Sequence, residues 1–378
     1  MTSYLPKINW STLTIIFYLL CALPQSLSPK PPILSKKYLN KSPGRVIRTC
    51  CAFGSDLRYV GIPFARRNDI MDRDNLGLHQ FLGGKYEENG IIYTKHGGFI
   101  DIGHLRDYAD WTAYLYNQIK MHKKVLNETT IKLGAEGGKK SLSFNVPEIM
   151  EEVDYLNLAG SIAYDLSLWH EIATYFGVSL IPIILPEKFS SFSPEDVYSN
   201  LLGTIIGMMA IESDKDYNIA VTTILEEVMD KLGAVEDIED SYIAMNKVES
   251  IWWDSKKPLP GKKFLLKRNL DTEKELLPWL VESESDSIAY SLPKPTERIR
   301  QMYHLTLKLN EKFPLEDILP ERETRKVTQH DFSAFVSYIK YTDKKEEEES
   351  MNLTKKRAKK RYVTFLQFIK NDRNRISK

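Results

Sequence analysis

The sequence is poor in cysteine, with three in 378 residues, and none has the Cys-x-x-Cys or Cys/His spacing of a zinc site or a redox pair. Cys50 and Cys51 are neighbours and cannot staple distant segments, so they are expected as a small, buried apolar pair. Charge imbalance is also lacking: 52 Lys and Arg against 51 Asp and Glu leave a formal net charge of +1. Such a balance gives no molecule-wide field for phosphate, and no specific nucleic-acid partner is expected. The apolar run Leu13–Leu23 (LTIIFYLLCAL), broken only by Thr14, falls well short of the ~20 residues that cross a bilayer. No G-x-S-x-G elbow surrounds Ser199, which argues against a Ser-His-Asp triad there.

What is present begins with that run. Lys7 is the only charge before Lys30, and a short positive segment followed by an apolar stretch has the form of a secretion signal. Residues 1–28 are therefore expected as a signal peptide or uncleaved N-terminal anchor, which places the chain in the periplasm or cell envelope, possible membrane anchoring included. Lipidation at Cys21 is disfavoured by the bulky Leu20 before it. Residues 29–44 carry four prolines among lysines without periodicity and are expected as a linker.

Residues 45–342 are expected as a single mainly helical domain, α+β in class, with small β hairpins and a core of three to five long helices. GIIYTK and FIDI flank His96-Gly97-Gly98 as one hairpin; TTIKL and SLSFN form a second, with the Gly-rich GAEGGKK as its loop. That loop lacks the strand-to-helix context of a phosphate cradle. Amphipathic helices are expected over 104–125, from Pro147 to Phe176 with Asn145 as cap, and from Ser193 (cap) and Pro194 to about Ile211. A fourth spans Ala220 to Leu232, and a short one lies around Thr296 to Leu309. Gly203 and Gly207, four apart, would let a neighbouring helix approach closely. Beyond residue 342 the chain becomes a charged, low-complexity tail. Its basic run Lys355–Arg361 and the stripe Tyr362, Phe365, Leu366 and Ile369 read first as a solvated terminal helix and second as a contact for an anionic membrane surface.

Three segments carry candidate chemistry. In HGGFIDIGHLRDYADW, His104 and Asp107 lie three apart on one helical face, where the helix N-terminus favours a neutral imidazole and an ionised acid. In DLSLWHEIATYFG, His170 and Glu171 have the order of a zincin ligand and base, but Thr174 stands where the second histidine of that motif belongs. Any site must therefore be completed from other segments, with small Gly160, Ala163 and Ser167 leaving room beside His170. In SSFSPEDVYSNLLG, Glu195, Ser199 and Asn200 put polar groups at the start of an apolar helix. For each segment a structural role, as helix cap or buried hydrogen-bonded group, stands beside the functional one.

The stretches TCCAFG, GIPFARRNDI, GGFIDIGHLRDYADW, WHEIATYFG and SFSPEDVYSNLLG together resemble a bacterial family of exported proteins known only as a domain of unknown function, over roughly residues 45–330. The resemblance implies kinship and transfers no activity. Two readings of function follow from the residues. One is a metal-dependent hydrolase of the envelope, with His104, Asp107, His170 and Glu195 on a divalent metal such as zinc and Glu171 as the catalytic base. The other is a non-catalytic envelope-binding or structural protein in which the same residues form a buried polar network.

Overall fold

The computed structural model describes Leu34, Arg48, Lys188 and residues 41–44, 68–122, 129–147, 150–178, 190–254, 265–272, 275–281, 287–291 and 296–349. The expected signal segment, most of the linker, the three cysteines and the basic run at 355–361 lie outside these residues.

Strands β1 (Asn68–Met71), β2 (Asn89–Thr94) and β3 (Gly98–Asp101) form a three-stranded sheet, with β1 parallel and β3 antiparallel to β2. β3 runs straight into helix α1 (Ile102–His122), so the strand's last side chain, Asp101, stands at the helix N-terminus. There its Oδ1 accepts the His104 N–H at 2.9 Å, which satisfies one of the amide donors that a helix start leaves open.

α1 departs from the amphipathic expectation. Every residue from Ile102 to Ile119 is buried, including His104, Arg106, Asp107, Asp110, Thr112, Asn117 and Gln118. The apolar periodicity is real, but the polar residues between the apolar ones face inward too, so α1 is the central element of the core. It packs on α2 (Glu152–Tyr175) and most extensively on α3 (Asp196–Glu212). The spacing of Gly203 and Gly207 serves this contact. A Cβ at Gly203 would stand 2.1 Å from the Leu105 carbonyl oxygen, and one at Gly207 would stand 2.8 Å from that of Ala109. Gly203→Ala is accordingly expected to lower the denaturant midpoint, at a cost of about 1–3 kcal/mol from overpacking, although alanine is the better helix former by about 1 kcal/mol. An unchanged midpoint would mean that α1 and α3 can separate freely.

Helices α4 (Tyr217–Leu232) and α5 (Ile238–Lys247) follow, each capped by an aspartate, Asp216 or Asp237, that accepts a backbone N–H. A second apolar cluster forms where α5, Trp252 and Trp253 cover Ile70, Ile91 and Phe99 of the first sheet.

The second sheet is antiparallel in the order β4 (Thr129–Ala135), β5 (Gly138–Phe144), β8 (Tyr303–Leu309), β9 (Lys326–Thr328). A small pair, β6 (Glu275–Leu276) and β7 (Tyr290–Ser291), precedes the four-residue helix α6 (Glu297–Arg300), and the short α7 (Leu315–Ile318) lies between β8 and β9. A final helix, α8, covers 332–349, so ordered structure reaches into the expected tail.

Several boundaries differ from the sequence reading. The expected helix over Thr296–Leu309 is one turn of α6 followed by β8, whose burial alternates with a period of two. GAEGGKK is mostly strand, and only Glu136 and Gly137 make its turn. α2 begins at Glu152 rather than Pro147, and the Asn145 N–H is taken by the Met302 carbonyl at the end of the sheet. α3 begins at Asp196, so the Ser193 hydroxyl does not cap it.

Candidate metal centre

Three helices and one turn meet at the start of α1. His104 lies in its first turn and donates from Nδ1 to Asp196 Oδ1, the first residue of α3, at 2.8 Å. His170, near the C-terminal end of α2, donates from Nδ1 to Glu136 Oε1 at 2.7 Å. The two rings stand edge to face with centroids 5.5 Å apart.

The Glu136 carboxylate comes from the β4–β5 turn and is held from both sides, its other oxygen accepting from Lys140 Nζ at 2.7 Å, while the Glu136 backbone carbonyl accepts from Trp169 Nε1 at 3.1 Å. Glu171, next to His170, accepts the Phe192 N–H at 2.7 Å and the Asn200 amide at 3.2 Å. Ser199 links strand and helix, accepting the Asp101 N–H at 2.9 Å while its hydroxyl donates to the Glu195 carbonyl at 2.6 Å.

The result is two overlapping sets of potential ligands. One ligand atom from each of His104, His170 and Glu171 falls within 4.8 Å of the others, and the same holds for Asp101, His104 and Asp196. All five, together with Glu195, are 0–4 % exposed. Asp101 Oδ2 and both Glu195 carboxylate oxygens have no hydrogen-bond partner among the described residues.

Burial of unpaired carboxylates disfavours their charge. It pushes Asp101 up to about 7, with Asp196 adding to the effect and His104 opposing it. Burial and then Asp196 also raise Glu171, and both raise Glu195 well above the usual range. Glu136 differs. Burial pushes it upward, but Lys140 and His170 outweigh that and hold it at about 2, so it is a fixed anion behind His170.

A family model described as a protein of unknown function, DUF4056, matches residues 39–282. The chain belongs to that family. The DUF4056 match contains every residue of the cluster and ends before β8, short of the roughly 330 expected from the sequence stretches. No curated protein and no solved structure matches the chain.

Within this DUF4056 domain the residues singled out in the sequence part company. His104, His170 and Glu171 come together, with α1 bringing His104 beside the His-Glu pair of α2. Glu195 adjoins the cluster through Asp196. Asp107 turns the other way: its Oδ1 accepts from Arg48 Nη1 at 2.7 Å, in a second buried network with Glu87, Asp110 and His79. Asp101, Asp196 and Glu136 are the members the sequence did not single out. Asp196 reads as an ordinary first-turn acid and Glu136 as part of a glycine-rich loop, and neither carries a local sign of its histidine partner.

Proposed function

We propose that this protein is a metal-dependent hydrolase in which His104, His170 and Glu171 hold a divalent cation. The observation that carries the reading is the pairing of each imidazole Nδ1 with a carboxylate, Asp196 for His104 and Glu136 for His170, at 2.7–2.8 Å. A proton kept on Nδ1 makes Nε2 the lone-pair nitrogen of the neutral ring, and carboxylate-backed histidines are the usual support of a metal. Two imidazoles and one carboxylate are a donor set of hydrolytic zinc, with one position left for water. A cation there supplies Lewis acidity and brings the pKa of water to about 7. In this reading Glu171 is a ligand rather than the base, and Asp107 belongs to the Arg48 network.

A second reading, a non-catalytic protein with a buried polar network, is favoured by one observation: all members of the cluster are at most 4 % exposed. Elemental mass spectrometry of the full chain, beside His104→Ala, His170→Ala and Glu136→Gln, separates the two. Near-stoichiometric zinc, iron or manganese is expected in the parent and lost in both histidine variants, with affinity weakened about 10–100-fold in Glu136→Gln. Metal-dependent release of nitrophenol from nitrophenyl esters or phosphates completes the hydrolase reading. Bound metal without any such turnover favours the structural one, and no metal, with histidine variants merely less stable, sinks the metal itself.

Export to the envelope belongs to the same reading and is supported by Lys7 and the Leu13–Leu23 run. Contact of the Lys355–Arg361 run with an anionic membrane rests on its charge. Recovery of the full chain in the cytoplasmic fraction of an expressing cell would overturn export.

A further inference from the structure

We propose that the centre takes two cations, the second being a hard divalent ion such as Mg2+ or Mn2+ held by Asp101 and Asp196 with the Glu195 carboxylate drawn in beside them. The inference rests on the first cation at His104, His170 and Glu171 and adds a site of different chemistry. Asp101, Asp196 and His104 form a ligand set of their own, with atoms within 4.8 Å of one another. His104 is already oriented by Asp196 through Nδ1, which leaves the second set its carboxylate oxygens, the donors preferred by small hard cations.

A separate observation points to a ligand there. Asp101 Oδ2 and both oxygens of Glu195 make no hydrogen bond of normal geometry among the described residues: the Ser193 side chain acts on Glu195, His104 Nδ1 stands 4.0 Å from Asp101 Oδ2, and both acids are 0 % exposed. Groups of this kind normally find partners, because an unsatisfied buried carboxylate is costly. Among the described residues the ion-pair partner of Asp101 and of Asp196 is His104, at 4.0 and 2.8 Å, and no lysine or arginine pairs with either of them or with Glu195. A cation shared by the three acids would give Asp101 Oδ2 and the Glu195 oxygens the partner that the described hydrogen bonds do not. Two cations side by side would clamp both the attacking and the leaving oxygen of a displacement, as paired metals ~3.5–4 Å apart do in phosphoester-cleaving enzymes.

The test loads the metal-stripped full chain with Mn2+ and reads stoichiometry and the electron paramagnetic resonance spectrum. The expected result is about two Mn2+ per chain with an exchange-coupled spectrum. Glu195→Gln and Asp101→Asn are expected to retain about one Mn2+ with an uncoupled six-line spectrum; asparagine still caps α1, which keeps the fold. Thermal melting of each variant verifies that it is folded. One Mn2+ per chain, lost in His170→Asn and unaffected by Glu195→Gln, overturns the second site and leaves the first standing. A single Mn2+ lost in both His170→Asn and Asp101→Asn shows one shared cation and also overturns it. No Mn2+ at all overturns the metal reading with it.

Discussion

Replacing Arg48 with methionine is expected to lower the unfolding free energy by about 3–5 kcal/mol, the usual consequence of removing one partner from a buried ion network. Arg48 is 4 % exposed and faces three carboxylates. It meets Glu87 with two parallel N–H bonds of 2.8 and 2.7 Å, Asp107 at 2.7 Å and Asp110 at 3.1 Å. His79 lies against Glu87 and Asp110, but burial lowers its pKa, so it does not replace the guanidinium. Methionine preserves much of the apolar stem, so the loss reports charge and hydrogen bonds rather than a cavity. Adding Asp107→Asn to Arg48→Met is expected to recover part of it. Glu87 supplies the pH signature. Burial would raise it, yet Arg48 holds it at about 2 against an ordinary 4.5. A depressed acid contributes stability above its unfolded value and loses it as pH falls through the folded one, so the gap between parent and variant is expected to narrow from about pH 4.5 towards pH 2. Equilibrium urea unfolding of both proteins reads this. A loss below about 1 kcal/mol at pH 7 would show that Arg48 is not the counter-charge of these acids.

The sequence made the long helices and hairpins legible because they rest on local rules: apolar spacing, glycines that stop helices and the paired glycines of α3. Gly177 ends α2 with φ +78°, a position where its missing side chain matters. In β8, HLTLKL satisfies both a short helix and an alternating strand, and only pairing with β5, more than 150 residues earlier in the chain, decides between them. The same distinction governs the site. His170 and Glu171 were visible as a motif fragment, and His104 as a histidine at a helix start. Their orienting acids were not, since Glu136 reaches His170 across 34 residues and Asp196 reaches His104 across 92. Helical spacing puts Asp107 on the face of His104 but does not choose its neighbour. Arg48, 59 residues earlier, claims the aspartate.

Raising the pH from 5.5 to 7.5 is expected to destabilise the metal-free protein and to enlarge the stabilisation that a divalent cation brings. Asp101 titrates at about 7 in the fold against an ordinary 3.8, so between those values the folded state keeps a proton that the unfolded state has released. Stability then falls with rising pH by about 1.4 kcal/mol per unit for such a group, until the folded carboxyl ionises. Glu171 and Glu195, raised by burial and by Asp196, act in the same direction. His79 opposes them, because a buried neutral imidazole gains relative stability as pH rises, but that contribution ends near its ordinary 6.5. Glu87 and Glu136, both held at about 2, are ionised in both states above pH 5.5 and add no slope there. Asp107, Glu152, Glu212 and Asp343, all raised chiefly by burial, act in the same direction as the acids of the cluster, so the raised acids outweigh His79. A cation takes the place of the protons and releases them on binding, so its affinity rises over the same interval. At a concentration 1,000 times its dissociation constant it adds about 4 kcal/mol. Thermal melts with and without Mn2+ at pH 5.5 and 7.5 read both effects. Asp101→Asn is expected to flatten the slope of the metal-free protein and to shrink the shift with Mn2+. A metal-free protein that grows steadily more stable up to pH 7.5 would mean that the acids of the α1 terminus are already ionised in the fold and balanced by something other than a cation.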